Sequence, residues 1–102
     1  MKQKFLVVYE HGKRNYGGFA PDVPGCISTA KTLPEMRRMM REALEAHLEF
    51  MAADGDPLPV PKTSTFDFSG EDVPKGTVDH YVVEWVEVNV PRARRAKQAI
   101  SA

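Results

Sequence analysis

The side chains able to do chemistry in this 102-residue chain are few and scattered. The histidines are His11, His47 and His80, the lone thiol is Cys26, and the acids within or beside the two most apolar segments are Glu10, Glu84 and Glu87. Metal-dependent cleavage of a phosphodiester needs several carboxylates converging on one point to hold magnesium. Here the first apolar segment has no acid in its middle, Glu10 sits at its end, and Glu84 and Glu87 face opposite sides of an extended segment because strand side chains alternate. The histidines have no metal-ligand spacing, and His47, within an apolar helical face, reads as a core histidine bonded locally. Cys26 could be a nucleophile only with a base beside it and otherwise reads as a small buried hydrophobe. No glycine loop of phosphate-binding type is present. The pattern points away from catalysis, and no metal or cofactor is expected.

The elements that would position these groups follow from the spacing of apolar residues. Lys2 to Glu10 is rich in β-branched and aromatic residues, with Phe5, Val7 and Tyr9 in one phase and Leu6 and Val8 in the other, and predicts a strand covered on both faces. Tyr16 to Pro21 predicts a second strand forming a hairpin with the first, with Gly17 and Gly18 permitting a bulge or a close approach. Pro21-Asp22-Val23-Pro24-Gly25 is a rigid turn, and Cys26 to Ala30 a short third strand.

Thr32-Leu33-Pro34-Glu35 has the capping-box pattern and starts a helix that Asp54-Gly55 ends. Leu33, Met36, Met39, Met40, Ala43, Leu44, His47, Leu48, Phe50 and Met51 are expected on its packed face. Pro57, Pro59 and Pro61 open an ordered loop, with Thr65 to Phe68 a short edge strand or a single turn. His80 to Val90 is the strongest strand, with Val82, Val86, Val88 and Val90 on one face and Tyr81, Val83 and Trp85 on the other. The expected fold is α+β, β-β-β-α-β: an antiparallel meander, one helix on one sheet face, and a last strand returning parallel beside the first.

One helix covers one face of a sheet, yet the first and last strands are apolar on both. Tyr81, Val83 and Trp85 are therefore candidates for an oligomer interface, unless the proline loop from Asp56 folds back over them. A homo-oligomer is the expectation.

Length and composition, with 42% hydrophobic residues, fit one domain. Residues 1–91 read as that domain and residues 92–102 as a basic tail. A single cysteine excludes an internal disulfide, and the chain has neither a membrane-spanning run nor the apolar stretch of a secretory signal, so a soluble cytoplasmic protein is expected. Fourteen basic residues balance fourteen acidic ones, but unevenly. From Ser64 to Val90 six acids face Lys75 alone, and from Pro91 onward Arg92, Arg94, Arg95 and Lys97 face none. The acidic stretch could dock a basic partner and the tail touch phosphate; a solvated edge and a frayed tail are the plainer alternative.

FLVVYE, followed by the succession from Gly17 to Pro61, resembles the HicB family of bacterial antitoxins. The resemblance rests on a strand, a Pro-Asp-x-Pro-Gly-Cys turn, a Thr-Leu-x-Glu helix start and an Asp-Gly-x-x-x-Pro helix exit. The family usually has a glycine and an acidic residue before the helix cap, where this chain has Ala30 and Lys31. The resemblance implies a partially degraded ribonuclease H-like domain that binds and masks HicA, a small basic messenger-RNA-cleaving toxin. The expected toxin contacts are Asp67, Glu71, Asp72, Glu84, Trp85 and Glu87, and Arg92, Arg94 and Arg95 are candidate nucleic-acid contacts. The residues after Pro91 are too few for the DNA-binding domain that many family members carry, so direct DNA binding is not expected. A free-standing nucleic-acid-binding module, with the tail and exposed aromatics as stacking platforms, is the competing reading.

Overall fold

The computed structural model describes residues 1–66 and 78–92 of the chain. Strand β1 (Lys2–Gly12) buries Phe5, Val7 and Tyr9 on one face and Leu6 and Val8 on the other, as an internal strand requires. It is flanked by β2 (Tyr16–Phe19) and β4 (Val78–Asn89), and β3 (Ile27–Ala30) completes a four-stranded sheet of order β3-β2-β1-β4. Every neighbouring pair is antiparallel.

Helix α1 (Leu33–Asp54) begins and ends where its caps dictate. Thr32 has extended backbone angles, and its hydroxyl accepts from the Glu35 amide at 3.3 Å. Pro34 occupies the first turn, where no helical donor is missed. At the far end Gly55 takes φ of +74°, its N–H donating to Ala52 while Asp56 donates back to Met51, which closes a Schellman motif. The helix buries Met36, Met40, Leu44, Leu48 and Ala52 against Phe5, Val7, Tyr9, Val86 and Val88. These buried residues are four apart, a ridge that drifts around the helix by about 40° per step. By the last turn the drift has carried the packed face away from Phe50, which is 72% exposed rather than part of the core as its position on an averaged wheel suggests.

Gly18 sets how closely the helix approaches. A Cβ there would lie 3.0 Å from Met36 Cε, 3.2 Å from Tyr9 Cδ1 and 3.3 Å from Met40 Sδ, whereas at Gly17 it would meet nothing within 4 Å. The glycine pair thus permits a close approach of side chains across the hairpin and from the helix; the one irregularity in the pairing of β1 lies at His11/Gly12, against β4.

The fourth strand runs opposite to the parallel return expected. β3 ends at Ala30, level with Tyr16 and hence with His11, and α1 runs back until Glu45 meets Asn89, the partner of Lys2 at the other end of the sheet. A short connection from there would yield a parallel strand. Instead the proline loop moves on: Lys62 and Thr63 bind Asp22 in the β2–β3 turn, Phe66 packs edge-on to Phe19, and β4 begins at Val78 opposite Gly12. Helix and loop make two traverses between β3 and β4, so β4 enters reversed. The stretch Pro57 to Phe66 has no regular strand or helix, and residues 67 and 68 of the anticipated edge strand lie outside the described residues.

Gly18→Val is expected to lower unfolding free energy by about 1–3 kcal/mol through overpacking, and Gly17→Val to stay within about 0.5 kcal/mol of the parent. Urea denaturation of the two variants side by side checks this.

Candidate functional site

Because β4 alternates, its side chains divide between two surfaces. Val82, Glu84, Val86 and Val88 share the helix face with Tyr9, Val7, Phe5 and Gln3, their register partners on β1. Tyr81, Val83, Trp85 and Glu87 share the second face with Glu10, Val8, Leu6 and Lys4. On that second face Trp85 is 51% and Val83 39% exposed, although Leu6 and Val8 beside them are buried. β4 is also an edge strand, so this apolar patch borders the open side of the sheet.

The expected contact acids do not form one group. Glu84 points to the helix, where Arg37 Nε donates to its Oε1 at 2.8 Å and Arg37 Nη2 to its Oε2 at 3.1 Å. This forked pair holds α1 to β4, and the Asn89 amide donating to Glu45 at 2.8 Å does the same nearer the end of the strand. The Tyr9 hydroxyl is buried without a hydrogen-bond partner; burial first, and then the charge of Glu84, push its pKa far above the ordinary tyrosine value. Glu87 and Trp85 lie on the second face, while Asp67, Glu71, Asp72, Arg94 and Arg95 lie outside the described residues. Arg92 is exposed just beyond β4.

An acid absent from the expected contacts, Glu10, sits on the second face opposite Tyr81. It lines a groove with Phe19, Phe66 and the Pro21–Ile27 segment, and burial raises its carboxyl pKa. Its position at a strand end hid this role, because the groove exists only once Phe66 arrives from a distant loop.

Asp22 is likewise more than a turn residue. It is buried at 8% exposure, and it accepts from the Lys62 amide at 2.8 Å, the Thr63 amide at 2.7 Å and the Thr63 hydroxyl. Burial alone would raise its pKa, but the Thr63 hydroxyl, the two amides and the Lys62 charge outweigh it and hold the carboxyl below the usual aspartate value. Nearby, Cys26 is buried, and burial pushes its thiol pKa up, as suits a small hydrophobe more than a nucleophile.

His11 lies within β1 rather than on a loop, and stacks with His80 across the β1–β4 ladder with ring centroids 4.6 Å apart; the Tyr16 ring is tilted against His11 at 4.5 Å. Sequence spacing could not bring these two histidines together. Among the described residues no group of three or more His, Cys, Asp and Glu is placed to hold a metal ion, and no helix is long and apolar enough to cross a membrane. His47 is half-buried, near enough to the Pro24-Gly25 turn that a Cβ on Gly25 would lie 3.9 Å from its Cε1.

A helix on one side of an antiparallel sheet, with the other side a part-open apolar face flanked by Glu10 and Glu87, defines a small α+β domain. The chain belongs to the HicB-like antitoxins of bacterial toxin-antitoxin systems, the family pattern matching residues 5–100. A UPF0150 protein of Thermotoga maritima is 41% identical over 44 residues, 43% of this chain; the chain spans 59% of that relative's length. Among solved structures, a chain of a HicA3 and HicB3 toxin-antitoxin complex superposes with a TM-score of 0.63 at 19% identity, covering 88% of this chain and 100% of that one. The N-terminal domain of the Burkholderia pseudomallei antitoxin HicB gives 0.60 at 22% identity, covering 88% and 100% respectively. These likenesses establish the shared fold.

Asp22 stabilises the fold only while ionised. Its folded-state pKa is depressed, so its contribution is complete above the unfolded aspartate value of about 3.9 and disappears as pH falls through the lower, folded value. Asp22→Asn, whose amide group would face N–H donors, is expected to cost about 2–4 kcal/mol at neutral pH. The melting-temperature gap between parent and variant should hold from pH 5 to 8, roughly, and narrow below about pH 3.9.

Proposed function

We propose that the chain is an antitoxin that neutralises a small basic ribonuclease of the HicA type in the cytoplasm by docking it on the second sheet face. The observation that carries this reading is the exposed Trp85 and Val83 patch with Glu10 and Glu87 beside it, on the side of the sheet that α1 leaves open. An apolar centre rimmed by acids suits a partner whose RNA-binding surface is positive: the aromatic residue anchors, and the carboxylates stand where RNA phosphates would bind and steer association. Asp67, Glu71 and Asp72, which lie outside the described residues, are further acidic toxin contacts in this proposal. Glu84, bonded to Arg37, holds the helix to β4 rather than the toxin. The chain itself acts by binding and does not cleave RNA. Descent from a ribonuclease H-like domain is part of the proposal and concerns the β1-β2-β3-α1 unit, which β4 joins in the antiparallel sense.

The same face favours a second reading, in which two copies associate through Tyr81, Val83 and Trp85, because β4 is an edge strand among the described residues, next to the patch. Light scattering of the chain alone, then with toxin, separates the two: if copies and toxin compete for Trp85, addition of toxin lowers the homo-oligomer fraction.

The test is co-expression with a HicA-type toxin, followed by affinity and RNA-cleavage measurements. Trp85→Ala should weaken the complex by about 2 kcal/mol or more and restore RNA cleavage by the toxin. Glu87→Lys should slow association most at low salt. Replacing Arg92, Arg94 and Arg95 with alanine should leave toxin binding nearly unchanged. Loss of toxin binding on the tail replacements alone would refute the docking face, and tight, steeply salt-dependent RNA binding by the chain that vanishes with those arginines would favour the nucleic-acid module. The purified chain should leave RNA intact with magnesium or manganese.

A further inference from the structure

Beside the Trp85 patch the second face has a groove of about 490 Å³, lined by Phe19, Phe66, the Pro21–Ile27 turn and Glu10. Its walls are mainly apolar, supplied by Phe19, Phe66, Pro21 and Val23. Phe66 meets Phe19 edge-on at 5.4 Å and is held there by a loop that Asp22 anchors three residues earlier, at Thr63. The far wall is the rigid Pro-Asp-x-Pro-Gly turn. Thus both sides of the groove are fixed through one carboxylate.

Glu10 has no hydrogen bond or ion pair among the described residues, yet it is withdrawn enough from water for burial to raise its carboxyl pKa. An acid with no partner among the described residues, in the wall of a mainly apolar groove, suits an occupant with a long aliphatic stem and a cationic head. We propose that this groove is a socket for one arginine side chain of a protein partner, with Glu10 as its counter-ion. The proposal rests on the antitoxin reading for the source of that arginine, whereas the chemistry of the socket stands on this chain's residues alone.

The experiment is a two-dimensional NMR titration of the full chain with N-acetyl-arginine amide, with N-acetyl-leucine amide and N-acetyl-glutamate amide as controls. Saturable shifts at Glu10, Phe19 and Phe66 are expected with the arginine probe only, and the Glu10 carboxyl should titrate at lower pH once the probe is bound. Glu10→Gln, of the same shape, should weaken probe binding at least tenfold, as should Phe66→Ala, which removes a wall without altering β1. Equal shifts with the leucine probe, or undiminished arginine binding in Glu10→Gln, would overturn the socket. Shifts at Glu10 on replacing Arg92, Arg94 and Arg95 with alanine would assign the socket to the chain's own basic segment and overturn the partner assignment. With the toxin, Glu10→Gln should weaken the complex at least tenfold; an unchanged affinity refutes the socket while leaving the antitoxin reading intact. A positive arginine titration with no HicA-type protein bound refutes the antitoxin reading and supports the socket.

Discussion

The hydrogen bonds that converge on the Asp22 carboxylate determine the rest of the architecture. The prolines leave the segment after α1 few backbone donors and no ladder, so these bonds, with the packing of Leu58 on the core and of Phe66 on Phe19, hold it at the β2–β3 turn. With them, the chain is tied at Lys62 and Thr63, Phe66 reaches Phe19, and β4 approaches from the Gly12 end of the sheet. The antiparallel entry of β4 and the Phe66 wall of the Glu10 groove go with where this loop is fastened. A buried carboxylate is costly unless its oxygens are satisfied; here two amides and a hydroxyl satisfy them, and the lowered pKa of Asp22 is the electrostatic expression of that arrangement.

A second constraint sorts the acids. On the helix face carboxylates serve the fold, Glu84 through Arg37 and Glu45 through Asn89, so α1 is fastened to β4 at two levels. On the second face Glu10 and Glu87 have no such ties among the described residues, and they flank exposed Trp85 and Val83. Net charge and acid counts cannot make this distinction. It depends on the parity of each residue along a strand and on what lies across from it.

What was legible in the sequence was local. The Thr32-to-Glu35 cap, the left-handed Gly55 and the alternation of β4 each depend on residues a few positions apart, and each appears where the sequence places it. The opposite-face placement of Glu84 and Glu87 was readable for the same reason. What was not legible depends on distance: Asp22 is bonded to residues about forty positions away, and His11 meets His80 across a ladder that is antiparallel where a parallel one was expected. The expectation of a parallel β4 assumed that a helix followed by a strand is a complete crossover, which holds only when the connection is too short to travel back. Phe50 failed for a subtler reason, since an averaged helical wheel ignores the drift of an i+4 ridge over a long helix.

One strand, β4, therefore serves two purposes through alternate residues. Val86 and Val88 are held in the core under α1, and Glu84 is clamped to Arg37, so the strand cannot slide by one residue without exchanging its two faces. That rigidity fixes Trp85 and Glu87 for a partner before any partner arrives, which spares the complex the entropic cost of ordering them. Substitutions at Tyr81, Val83, Trp85 and Glu87 should act mainly on association, and those at Glu84, Val86, Val88 and Asn89, which binds Glu45, mainly on folding. The division follows from α1 covering one side of the sheet: the other side, where Leu6 and Val8 are buried but Trp85 and Val83 are exposed, can present apolar surface for binding because the helix side holds the strand in place.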